Sequence, residues 1–155
     1  SSELIKPFVN FHAHIYQVIS TVNEFSISCI PVLNDENKFL GVISLQNLAF
    51  SFAKLTNVNE PGGILVLEVQ NKDYSLAQAA QIVESDNGKI LSSYVYGSRD
   101  RLTLNLVLKI NKKDLSTIIS AFERYNYLIK ESYHESIFDE DTRGRYDQFM
   151  NYLNM

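Results

Sequence analysis

Ser44 and Asn47 are the side chains whose type and spacing best suit holding a ligand. They stand three residues apart, where the apolar stretch 39–43 gives way to an amphipathic one. A hydroxyl and an amide at that spacing share the first turn of a helix. The free backbone N–H groups of a helix start attract phosphate, and neighbouring side-chain oxygens can hold sugar hydroxyls. The same pair also reads as a plain helix cap, since Ser and Asn are preferred there. The sequence leaves both readings open.

Other chemistry finds less support. His12 and His14 diverge on a helix and share a face only if extended; with no further His or Cys nearby, no metal site is expected. Ser26 and Ser28 lack a His and acid at any recognisable spacing, so no nucleophile is expected. Asp139-Glu140-Asp141 reads as a solvated helix start, because a calcium loop spreads its ligands over about 12 residues around a glycine. Without an acid, base and nucleophile together, the expectation is a protein that is not an enzyme and needs no cofactor.

The bulk composition narrows the classes further. A net charge of −4 and the lack of any basic block argue against nucleic acid as a partner. The nine Tyr and nine Phe then read as core and interface rather than as base-stacking platforms. The single cysteine, Cys29, excludes an intrachain disulfide, and its apolar neighbours predict a small buried side chain. The longest uncharged run, 39–53, falls short of the ~20 apolar residues of a membrane span, and no signal peptide is visible. A cytoplasmic protein without membrane partners is expected. The opening Ser1-Ser2, without Met, reads as a cut from something longer.

The elements that must position Ser44 and Asn47 follow from periodicity. After a short extended segment at 7–11, Ile15, Val18, Ile19 and Val22 mark an amphipathic helix ending near 23–24. Strands at 30–33 and 39–43 flank the turn residues Asn34-Asp35-Glu36-Asn37 and predict an antiparallel hairpin. Leu45, Leu48, Ala49 and Phe52 mark a second helix. The stretch 56–63, ending Glu-Pro-Gly-Gly, predicts a linker between domains 1–55 and 64–135.

Past the linker, strands at 64–69, 89–96, 102–110 and 127–133 alternate with helices at Leu76–Val83 and Leu115–Phe122. Asp73 or Ser75 caps the first of these helices, and Asn111 with Asp114 resembles a capping box for the second. The strand 102–110 alternates so regularly that one buried and one wet face are expected. This βαββαβ order predicts a ferredoxin-like fold in an α+β chain. Residues 136–155 predict a C-terminal helix, with Tyr146, Phe149, Met150 and Leu153 as its apolar stripe.

Residues 8–53 resemble one motif of the cystathionine-β-synthase (CBS) domain family, on the helix-strand-strand-helix order, Ile30-Pro31-Val32 and Gly41-Val42-Ile43-Ser44-Leu45-Gln46-Asn47. The family pattern ends in Asp where this chain has Asn47. The resemblance implies a ligand-sensing, non-catalytic role and an adenine-containing nucleotide. Ser44 and Asn47 would face its ribose, Cys29, Ile30 and Pro31 its base, and Val9 would lie opposite. Family motifs act in pairs, so the resemblance also implies a partner motif, upstream or on a second subunit.

Residues 63–135 resemble the ACT domains, ferredoxin-like modules that bind amino acids and pair into larger sheets. The corresponding ligand loop is Asn71-Lys72-Asp73-Tyr74-Ser75-Leu76, without the family's Pro and Gly. The resemblance implies a homodimer or higher homo-oligomer, and an amino-acid site at Asp73, Tyr74 and Ser75. A purely structural oligomerisation module is the alternative. Together the parts look like an acetoin-utilisation-type regulatory protein.

Overall fold

The computed structural model describes residues 7–97, 102–135 and 149–154. The chain divides into two units, Ser1–Val58 and Asn59–Met155.

In the first unit, β1 (Val9–Asn10) runs parallel to β2 (Cys29–Leu33), and β2 pairs antiparallel with β3 (Phe39–Ser44). The turn between β2 and β3 closes as its composition predicts. Asn34 Oδ1 accepts the N–H groups of Glu36 and Lys38, and Asn37 takes the left-handed φ of 60° that Asn tolerates. Helix α1 (Ile15–Phe25) precedes β2 and α2 (Leu45–Leu55) follows β3. His14, weighed above as a ligand, is the cap of α1: its Nδ1 accepts the N–H of Tyr16. That helix runs to Phe25, one residue beyond the predicted stop, and Ser26 closes it in the left-handed region.

The core of this unit is small. Val9, Val18, Ile30 and Leu48 are buried together, with Ile43 and Val32 against them. Cys29 is exposed, which overturns the expectation of a buried thiol. The reason is alternation: Ile30 occupies the core, so its neighbours in β2 face the other way.

In the second unit, β4 (Gly63–Gln70), β5 (Ile90–Tyr96), β6 (Thr103–Ile110) and β7 (Leu128–Tyr133) form an antiparallel sheet in the order β5-β6-β4-β7. Helix α3 (Leu76–Ser85) joins β4 to β5, and α4 (Ser116–Arg124) joins β6 to β7. First and third strands at the centre, with two crossover helices, is the ferredoxin-like topology. Leu65, Leu67, Leu106 and Leu108 from the central strands meet Ile82, Val83, Ile118 and Phe122 from the helices in one buried cluster.

Three local expectations for this unit fail. Gly63, expected in the linker, is the buried first residue of β4. Asn111 and Asp114 form no capping box. Asn111 Oδ1 accepts the N–H of Lys89, while Asp114 Oδ1 accepts both the N–H and the hydroxyl of Ser116. Leu115, the N-cap residue of α4, instead donates its N–H to Nδ1 of His134, just past β7. The wet face expected of β6 is also largely shielded, because Val107 lies between Val66 and Tyr94 on neighbouring strands.

Ser75 caps α3 by accepting the N–H of Gln78, and Asp73 lies in a 3₁₀ turn, Asn71–Asp73. The acids at 139–141 and Tyr146 lie outside the described residues, as do 98–101; residues 149–153 are helical.

Candidate functional site

The register of the first unit sorts the candidate ligand residues. Cys29 stands opposite Ser44, Ile30 opposite Ile43 and Pro31 opposite Val42. Directly opposed residues share a face, and successive residues alternate. Cys29, Pro31, Val42 and Ser44 therefore share the face turned away from the core. Ile30 is fully buried with Ile43 against it, and Val9, opposite Val32, is buried in the same cluster. Any contact Val9 and Ile30 make with a ligand runs through their backbone. Val42, 52% exposed beside Pro31, belongs to the face but escaped the sequence reading. Its position across from a candidate residue was the available signal.

Ser44 and Asn47 meet where β3 turns into α2. Ser44 Oγ accepts the N–H of Asn47 at 3.1 Å, and Asn47 Oδ1 accepts the N–H of Ser44 at 3.1 Å. The Ser44 hydroxyl also donates to Asn47 Oδ1 at 2.8 Å. This is a complete capping box. The N–H of Leu45 donates to the Ser28 carbonyl, which ties the helix start back to the segment before β2. The cap is thus real, and it holds Ser44 and Asn47 on an exposed corner beside Cys29.

A second feature of this unit is an apolar groove of about 480 Å³ between α1 and α2, lined among others by Ile19, Val22, Leu45, Leu48 and Phe52. Of the stripe predicted for α2, only Leu48 is buried; Leu45 and Phe52 stay exposed.

The CBS-domain family model matches residues 3–54 of this chain. This stretch is a CBS domain. The match covers α1, the whole three-stranded sheet and all but the last residue of α2, including the corner at Ser44. A CBS domain supports a regulatory, ligand-sensing role in general; proteins with such domains are typically regulatory rather than catalytic. Among solved structures, the crystal structure of protein BT0572 from Bacteroides thetaiotaomicron aligns with 79% of this chain and 87% of its own, at 11% identity and a TM-score of 0.34. At that score the likeness establishes neither fold nor function.

In the second unit, Asp73 borders a hollow of about 420 Å³ with Glu68, Gln78, Tyr125 and Tyr127. The Tyr127 hydroxyl donates to Gln78 Oε1, and burial pushes its pKa up. Asp73, Tyr74 and Ser75 do not converge as a set: Ser75 is spent on its helix cap, and only Asp73 borders the hollow.

Among the described residues, no three of His, Cys, Asp and Glu cluster as a metal site, and no helix is long and apolar enough to cross a membrane.

Proposed function

We propose that the protein is a non-enzymatic regulator whose CBS domain binds an adenine-containing nucleotide, and whose second, ACT-like unit brings subunits together as a homodimer. The observation that carries the reading is the corner itself. Ser44 and Asn47 are held by each other at the start of α2, on the face that also bears Cys29 and Pro31. That combines a helix N-terminus for phosphate with a sheet face for a flat base. Binding preferentially to one arrangement of the CBS pair would shift the population between states, which is how a ligand drives regulation without chemistry.

Thermal denaturation with ATP, AMP and S-adenosylmethionine tests this. At about 1 mM, a ligand with a micromolar Kd stabilises the native state by about 4 kcal/mol, a readily measured rise in melting temperature. No rise with any of the three sinks the nucleotide reading.

A second reading rests on the hollow beside Asp73, which suits a small polar ligand such as an amino acid. A thermal-shift screen of the twenty amino acids separates it from the first. A purely structural role predicts a stable oligomer and no response to either set.

A further inference from the structure

We propose that His134 is a pH-sensitive clasp in the second unit. Neutral, it holds the start of α4; protonated, it releases α4 and turns to Asp114. The clasp involves no ligand and stands or falls apart from the nucleotide reading.

Three stretches of chain meet at the clasp. Leu115, the N-cap residue of α4, is fully buried and has no side-chain cap, so its backbone N–H needs a protein acceptor. Nδ1 of His134 supplies one at 3.3 Å. Around that bond, the N–H of Glu135 donates to the Lys113 carbonyl and the N–H of Gly63 to the Lys112 carbonyl, both at 2.8 Å. Gly63 is the first residue of β4, so this is where the chain enters the sheet. A Cβ on Gly63 would lie 2.5 Å from Leu115 Cδ1 and 3.1 Å from His134 Cβ. The entering chain is therefore seated directly against the bonded pair.

An imidazole that accepts an N–H is a neutral one. Nδ1 must carry no proton, which leaves the ring's single proton on Nε2. An imidazolium has donors on both nitrogens and accepts at neither, so protonation would set one N–H against another at Leu115. Imidazoles change charge between about pH 5 and 8. The side chain of His134 is 14% exposed, enough for solvent protons to reach it. The bond to Leu115 is present above the titration of the ring and is lost as pH falls through it.

The protonated nitrogen has a destination. Asp114 Oδ1 lies 3.8 Å from Nδ1, too far for a hydrogen bond but close enough to attract a cation. The Ser116 hydroxyl and N–H, both donated to Oδ1, hold the Asp114 carboxyl below the usual carboxylate value. It is therefore charged while an imidazole titrates. The other charged or titratable groups around the ring are engaged elsewhere. Lys112 bonds Asp86, Lys113 pairs with Glu135, and the Tyr133 hydroxyl donates to Glu131. On the β4 side Gly63 brings no charge. Asp114 is the group that answers the proton.

Amide hydrogen exchange on the whole chain tests this, with each rate divided by the unstructured rate at the same pH. In the wild type the Leu115 ratio should rise about tenfold from about pH 8 to about pH 5, the scale of one hydrogen bond. The Lys89 amide, bonded to Asn111 Oδ1, has an acceptor that does not titrate and should stay flat. His134→Asn offers an oxygen that takes no proton, so its Leu115 ratio should not follow pH. Asp114→Asn removes the destination, and the rise should move to lower pH. The proposal is overturned by a flat Leu115 ratio in the wild type or by a rise that Lys89 shares. A rise preserved in His134→Asn, or left unshifted in Asp114→Asn, overturns it equally.

Discussion

The two units satisfy their apolar side chains to different degrees. In the second, helices α3 and α4 lie on one face of the sheet, and Leu65, Leu67, Leu108, Val83, Ile118 and Phe122 are essentially inaccessible to water. In the CBS domain the described core reduces to Val9, Val18, Ile30 and Leu48, while Phe39, Leu40, Val42, Leu45, Phe50 and Phe52 remain exposed. Scattered exposed apolar residues are ordinary, but two of these, Leu45 and Phe52, line the apolar groove between α1 and α2. The second unit carries a large core; the CBS domain carries a small one.

The most severe way to break that comparison is Phe122→Ala. Phe122 is fully buried and packs edge-on against Tyr127, so truncation should cost about 3–5 kcal/mol, measured by urea denaturation. A loss below about 1 kcal/mol would show that the second unit is not the better packed one.

Ser44→Ala should have a smaller effect, about 1 kcal/mol, because it removes the acceptor for the Asn47 N–H and half of the capping box. Circular dichroism melting reads it. A neutral result would mean that the α2 cap contributes nothing to the first unit.

Asp86 gives the second unit a pH dependence. Its hydrogen bonds from Lys112 and Thr117 hold its carboxyl below the usual carboxylate value. A carboxylate with a lowered folded-state pKa stabilises above its ordinary value near pH ~4, and that contribution is lost as pH falls through the lowered value. Asp86→Asn should therefore flatten the acid side of the stability profile, read as urea midpoints at stepped pH. An unchanged acid slope would remove Asp86 from the account.

Phe52→Glu should have the smallest effect on folding, within about 0.5 kcal/mol, since the ring is exposed on the groove. If the groove also takes a second copy of the chain, the variant shifts self-association toward smaller species in analytical ultracentrifugation. An unchanged mass distribution would mean that the groove takes no second copy of the chain.

Much of the architecture was legible because local rules agreed. Asn34 and Asn37 made the hairpin turn their composition predicted, and the spacing of Ile15, Val18, Ile19 and Val22 appeared as α1. The site was legible only in part. Val9 and Ile30 belong to the other strands of the sheet that ends at the corner, but parity along β1 and β2 turns them into the core. Cys29 failed in the opposite sense: its neighbours are apolar, yet the alternation that buries Ile30 exposes it.

By itself the sequence determined most elements and their order, and it offered the Ser44–Asn47 cap as one of two readings, all of which rest on contacts within a few residues. The tertiary structure decided what depends on pairing across distance. It set which face each strand residue takes, and it used His134 rather than Asn111 to receive an N–H at the start of α4. It also turned the oxygen of the Asn47 amide toward Ser44. A hydrogen bond has direction, and only placed atoms reveal which end of an amide is already taken.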